Sequence, residues 1–215
     1  MAKNFTILVG TVGQGIIRSE DAGENWQRAG INSGLHSDAL VRTVVNHTQN
    51  PHKVFAGTEK GLYKSSNAGK DWELVDSILT NNCVWSLAID KSDPGTMYAG
   101  TGTPDPSSIF RSSDGGKTWE ERPVEVAKEC PAVGVPRVTG IAIDPDNRQD
   151  IWVGFEVDGV RRSTNGGDTW EKVATSIPNL DVHNVAVSSG PPKTVVVVVN
   201  NDVYTSEDGG EEWNA

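Results

Sequence analysis

Cysteine is scarce: Cys83 and Cys130 are the only two in 215 residues, too few for a disulfide framework and without the paired spacing of a zinc site. Free thiols are the expectation. Basic residues are also few. Nineteen Lys and Arg stand against 29 Asp and Glu, a formal charge of −10, which supplies no basic stripe for nucleic acid or anionic lipid. Neither is expected as a partner. No apolar run approaches the roughly 18–20 residues of a membrane span, so no membrane insertion is expected. The stretch from Phe5 to Gly10 is shorter than a signal-peptide core, which makes the cytoplasm the default expectation. The four histidines, His36, His47, His52 and His183, lack metal-ligand spacing, and neither a metal nor a cofactor is expected. Helical periodicity is missing from every long segment. What is present, 36% hydrophobic residues and 23 Gly, is an ordinary globular share that argues against disorder and leaves folding to packing.

Tryptophan carries the pattern. Five of the seven close one octapeptide, S-x-[DN]-x-G-x-x-W. Its copies are Ser19, Asp21, Gly23 and Trp26; Ser65, Asn67, Gly69 and Trp72; Ser112, Asp114, Gly116 and Trp119; Ser163, Asn165, Gly167 and Trp170; and Ser206, Asp208, Gly210 and Trp213. The mean period of about 47 residues falls where repeats mean propellers or solenoids. Around each copy run short strands rich in Val and Ile, as in residues 84–90, 96–101, 109–112 and 119–122, bounded by Gly, Asp, Asn and Pro. Four strands per period fit a propeller blade. The expected fold is all-β, a single domain over 1–215 with units near 1–35, 36–80, 81–126, 132–178 and 179–215.

The octapeptide reads as a tight turn. Ser and Asp offer acceptors to nearby backbone amides, Gly takes the conformation that other residues resist, and Trp covers the corner. Asn replaces Asp at Asn67 and Asn165, keeping the carbonyl but losing the charge, which favours a structural turn over a calcium site.

These copies resemble the Asp-box, or BNR, repeat of sialidase-like propellers, a family that includes xyloglucan-hydrolysing enzymes, sortilin-type receptors and photosystem II assembly factors. The resemblance spans nearly the whole chain. It implies a propeller with its ligand on the face opposite the boxes, and it leaves function open, because one scaffold serves several functional classes. A sialidase would need an arginine triad, a Tyr–Glu pair, an Asp acid and an Arg-Ile-Pro motif. The last is missing. Arg18, Arg111 and Arg162 share one register before their boxes, with Lys64 and Thr205 in the other copies, and so read as a scaffold column. Tyr63, Tyr98 and Tyr204 lie within strands. No catalytic residue is assigned. The first visible strand corresponds to the second of a blade, so the expectation is a fragment of a larger ring, prone to self-association through open blade faces such as the run 194–199.

Comparing equivalent positions separates core from candidate site. Val41, Val84, Val138 and Val182 are uniform, as are Val44, Leu87, Ile141 and Val185. Between them stand Arg42, Trp85, Thr139 and His183, chemically mixed at the start of the innermost strand. They are the candidate binding surface, with a solvated channel lining as the plainer reading. Loop residues His36, Asp38, Asn81, Asn82, Arg137 and Asp181 lead into those strands. Glu156 and Asp158 project towards the same face and could serve as an acid–base pair if suitably separated. The sequence favours a noncatalytic binding or assembly scaffold for a protein or carbohydrate ligand, with a glycoside hydrolase as the alternative.

Overall fold

A computed structural model describes residues 5–131 and 133–215. The chain forms two compact units, Met1–Val84 and Trp85–Ala215. In the first, β1 (Ile7–Gly10), β2 (Ile16–Ser19) and β3 (Gln27–Ala29) make a three-stranded sheet, followed by a four-stranded one of β4 (Val41–Asn46), β5 (Val54–Thr58), β6 (Gly61–Ser65) and β7 (Glu73–Leu74). The second unit holds two four-stranded sheets. They comprise β8 (Val84–Ile89), β9 (Met97–Thr101), β10 (Ile109–Ser112) and β11 (Glu120–Arg122), then β12 (Val138–Ile143), β13 (Ile151–Phe155), β14 (Gly159–Ser163) and β15 (Glu171–Val173). A last sheet contains β16 (Val182–Val187), β17 (Val195–Val199) and β18 (Asp202–Ser206). Every sheet is a meander of sequential neighbours. Among the described residues there is no α-helix, only a 3-10 turn at Ile31–Ser33.

Two strand expectations shift. The first strand begins at Ile7, and the fourth strand expected near Trp213 is reduced to one antiparallel bridge between Thr205 and Asn214. The run 194–199 is covered at both edges and on one face, while Val196 and Val198 on its other face are half-buried. It supplies the central strand β17, whose five valines alternate between buried and half-buried, because β16 and β18 flank it and one of its faces packs into the core with Val182, Val185 and Trp152.

The second strands β5, β9 and β13 are buried throughout. Glycines late in β1, β9 and β13 make room for the next sheet: a Cβ on Gly10 would lie 2.7 Å from Val41 Cγ1, on Gly100 2.3 Å from Val138 Cγ1, and on Gly154 2.6 Å from Val182 Cγ1. The uniform valine column thus fills notches cut by glycine, and close packing sets the approach of neighbouring sheets within a unit.

The octapeptides form one corner five times. Their Ser Oγ accepts from the N–H of Gly23, Gly69, Gly116, Gly167 and Gly210 at 2.8–2.9 Å. It donates to Asp21, Asn67, Asp114, Asn165 and Asp208 at 2.7–3.0 Å. The same Asp or Asn oxygen accepts the backbone N–H four residues on, as from Asn25, Asp71 and Thr118. In four copies the indole N–H donates back to the Gly carbonyl, from Trp26, Trp72, Trp119 and Trp213 at 2.9–3.1 Å. Trp170 Nε1 is buried without a partner. The arginine column stitches one corner to the next: Arg18 donates to Ala68 O at 2.8 Å, Arg111 to Gly166 O at 3.5 Å and Arg162 to Gly209 O at 2.9 Å.

Candidate functional site

The opposite ends of the sheets begin with an irregularity. In β4, β12 and β16 one residue is skipped in the pairing with the next strand, leaving Arg42, Thr139 and His183 as bulge residues. Trp85 holds the corresponding position in β8. A bulge frees a side chain from the alternation of its strand and bends the strand locally. The chemically mixed column is therefore also the column where sheet geometry is relaxed.

Its members differ in surroundings. Arg42, in the first unit, is half-buried. In the same unit, Glu59 joins the loop before β4 to the β5–β6 turn, with its Oε2 accepting from Leu40 N–H at 2.8 Å and its Oε1 2.9 Å from His36 Nε2. Thr139 turns inward, its hydroxyl donating to Val182 O at 2.6 Å across to the next sheet. His183 is exposed, with Nε2 3.7 Å from Asp181 Oδ1.

Trp85 and Glu156 are brought together by a third residue. The Arg137 guanidinium carbon lies 4.7 Å from the Trp85 ring centroid, while its Nη1 donates to Glu156 Oε1 at 2.7 Å. Trp85 Nε1 donates to Thr103 O at 3.2 Å, fixing the ring. A bridge between Gly102 and Arg137 places this arginine just before β12. Glu156 is only 8% exposed. A guanidinium fits here because it stacks on an aromatic face and pairs with a carboxylate at once.

Asp158 belongs to a different network. Its Oδ2 accepts from Arg161 Nη2 at 2.8 Å and from Ala127 N–H at 3.1 Å, and its Oδ1 lies 3.2 Å from Lys172 Nζ. Arg161 also donates to Glu125 O from Nε and Nη2. The network fastens the segment Val124–Ala127 to β14 beside a depression of about 420 Å³ that Trp170 also lines. Glu156 and Asp158 thus share a turn but answer to separate cations.

Arg137 stands among the loop residues singled out above, but its central place does not follow from sequence. Arg161 is not among the sequence-derived candidates, although its column carries a signal. Its column in the other third strands reads Ile17, Tyr63, Phe110 and Tyr204, so a charge interrupts an otherwise apolar set. Cys83 is buried and Cys130 half-buried, and neither forms a disulfide. Among the described residues no group of three or more His, Cys, Asp or Glu side chains is placed to hold a metal ion.

The meander sheets and repeated corners define a BNR-type propeller chain. Residues 77–215 match the family model described as the photosynthesis system II assembly factor YCF48, and the chain belongs to that family. It is 32% identical over 213 residues to the xyloglucanase Xgh74A of Acetivibrio thermocellus, a match covering 77% of this chain and 25% of that protein. With a xyloglucanase of Hypocrea jecorina it shares 27% identity over 176 residues, 75% of this chain and 20% of the other. The chain spans about a quarter of the length of the curated relatives it matches. Among solved structures, an ancestral GH74 enzyme superposes with a TM-score of 0.77 at 22% identity, covering 97% of this chain and 29% of that one. A YCF48 structure bound to D1 peptide superposes with a TM-score of 0.63 at 18% identity, covering 100% and 66%.

Proposed function

We propose that the chain is a noncatalytic binding or assembly scaffold whose ligand, a protein or a carbohydrate, is held at the bulge end of the sheets, away from the octapeptide corners. The observation that carries this reading is the state of the candidate carboxylates. Glu156 is locked to Arg137, and Asp158 to Arg161 and Lys172. Side chains held this way position other groups; a general acid must instead reach the atom it protonates. The corners serve as structural turns in this reading, since in each the Ser and the Asp or Asn bond within the turn. The five sheets are read as successive blades of a propeller larger than this run, supported by the quarter-length match to the xyloglucanases.

The names of the relatives frame the ligand classes: two are carbohydrate enzymes and one neighbour is an assembly factor with a bound peptide. A second reading, a glycoside hydrolase, draws support from the 32% identity to Xgh74A and from Glu156 Oε2, a buried carboxylate oxygen without a hydrogen-bond partner. Screening the full chain on a glycan array, with hydrolysis of aryl glycosides assayed in parallel, separates the two. Saturable binding without turnover is the expected result. Turnover that disappears in Glu156→Gln overturns it.

A further inference from the structure

The fourth corner departs from the other four in two ways. Its Trp170 Nε1 is buried without the bond to a glycine carbonyl that Trp26, Trp72, Trp119 and Trp213 make. Its turn also holds the one Asn–Gly step in the sequence, Asn165–Gly166. The fold imposes that glycine: its φ is +72°, and a Cβ would lie 2.7 Å from Gln149 Oε1. A residue without a Cβ leaves its backbone nitrogen open to close approach. Ring closure between that nitrogen and Asn165 Cγ makes an unstrained cyclic imide.

The closed corner prevents this. Gly166 N–H donates to Gln149 O at 2.9 Å. Asn165 Oδ1 accepts from Ser163 Oγ and from Thr169 N–H, each at 2.9 Å, and Nδ2 donates to Thr169 Oγ1 at 2.9 Å. Nucleophile and amide are thus both engaged elsewhere, although Asn165 itself is exposed to water. A local opening frees them. The third corner shows how an acid sits in place of the amide. There Asp114 Oδ1 accepts from Ser112 Oγ, Lys117 N–H and Thr118 N–H, and the Thr118 hydroxyl donates to Oδ2 at 2.7 Å. Thr169 stands in the register of Thr118, so its hydroxyl need only turn from accepting to donating. Bonds to an ionised acceptor are the stronger kind.

We propose that Asn165–Gly166 is a self-modification site gated by the fourth corner: opening lets the Asn165 amide hydrolyse through a cyclic imide, and the corner recloses around the Asp product. The Gly166 nitrogen bonds to Asn165 Cγ as the Cγ–Nδ2 bond breaks, and Nδ2 leaves as ammonia with the proton of the Gly166 N–H. Water then opens the ring. Cleavage of the new N–Cγ bond gives Asp. Cleavage of the bond to the Asn165 main-chain carbonyl carbon gives isoaspartate, whose extra backbone methylene breaks the spacing of the corner. The site is independent of the bulge end and of any ligand held there.

The test incubates the full chain at mildly alkaline pH, folded and in guanidinium chloride, and follows acid and isoaspartate at Asn165 by peptide mapping and mass spectrometry. Conversion is expected to run at least about tenfold faster in the denatured chain. Asn67, at the same position but before Ala68, reacts more slowly than Asn165 there. Thr169→Val, which removes the partner of Nδ2, speeds conversion in the folded chain about two- to tenfold and leaves the denatured rate unchanged. Ser112→Ala, which weakens the third corner, does not alter the folded rate at Asn165. Asn165→Asp, the product, has a urea midpoint at pH 7 equal to or above that of the parent. Denatured-state conversion no faster at Asn165 than at Asn67 removes the site. Equal rates in the folded and denatured chain, no effect of Thr169→Val, or the same acceleration by Ser112→Ala removes the gate. A lower midpoint for Asn165→Asp means that the corner rejects the product, and each of these results overturns the proposal.

Discussion

The two ends of the sheets are built by opposite rules. At the corner end, five octapeptides repeat one set of bonds, and Ser, Asp or Asn, and Gly recur because the backbone amides of a tight turn have few other acceptors. At the bulge end, Arg42, Trp85, Thr139 and His183 occupy one register and do four different things. One reaches the next sheet, one stacks under a guanidinium, one faces solvent, and Arg42 lies half-buried in the other unit. Repetition marks positions where the backbone dictates chemistry. Divergence marks positions where it does not.

The largest test of that contrast is the corner itself. Trp119 is 7% exposed and Trp26 44%, so Trp119→Ala should cost about 3–5 kcal/mol by urea unfolding, typical of a buried aromatic, and Trp26→Ala less than half as much. Equal costs would mean that the corners are not held by burial. Next come the notches between sheets. Gly100→Ala sets a Cβ 2.3 Å from Val138 Cγ1 and should lower stability by about 1–3 kcal/mol, the usual range for overpacking. A neutral result would show that the sheets slide apart freely. Ser112→Ala removes the acceptor of Gly116 N–H and should cost about 1–3 kcal/mol, the range for stranding a buried polar group. At the other end, Thr139→Val loses one bond to Val182 O and should cost about 0.5–1.5 kcal/mol, leaving the corner signals in an amide spectrum unmoved.

The smallest effect is electrostatic and divides the corners among themselves. The backbone and side-chain N–H groups of Asn25, with the Ser19 hydroxyl, hold the Asp21 carboxyl down to about 2. The Thr118 backbone N–H lowers Asp114 in the same way, and the Ser206 hydroxyl with the Glu212 N–H lowers Asp208. A depressed folded-state value means that the unfolded chain binds the proton more readily, so these groups stabilise above about pH 4 and lose that contribution as pH falls towards 2. Asn67 and Asn165 do not titrate. Replacing Asp21, Asp114 and Asp208 together by Asn should flatten the acid limb of the stability–pH curve, measured by urea midpoints between pH 5 and pH 2. An unchanged limb would place the acid sensitivity in other carboxylates.

Much of the fold is legible in the chain. Each corner closes its bonds within eight residues, and the strands announce themselves by β-branched runs cut by turn residues. The candidate site is legible only as a column. Sequence comparison finds the odd positions, but says nothing of Thr139 facing inward while His183 faces water. The valine run of β17 reads as a strand, but which of its faces packs into the core is decided by its neighbours. Arg161 is visible as a charge in an aromatic and aliphatic column, a signal of partnership that names no partner.

The sequence alone therefore determined the repeat, the corners and the succession of antiparallel strands, because these arise from contacts between near neighbours and from a fixed side-chain alternation. Tertiary structure decided what joins across the fold. Arg137 meets Glu156 from 19 residues away and Arg161 meets Glu125 from 36, and such pairings depend on which sheets pack together, a quantity that no local pattern encodes.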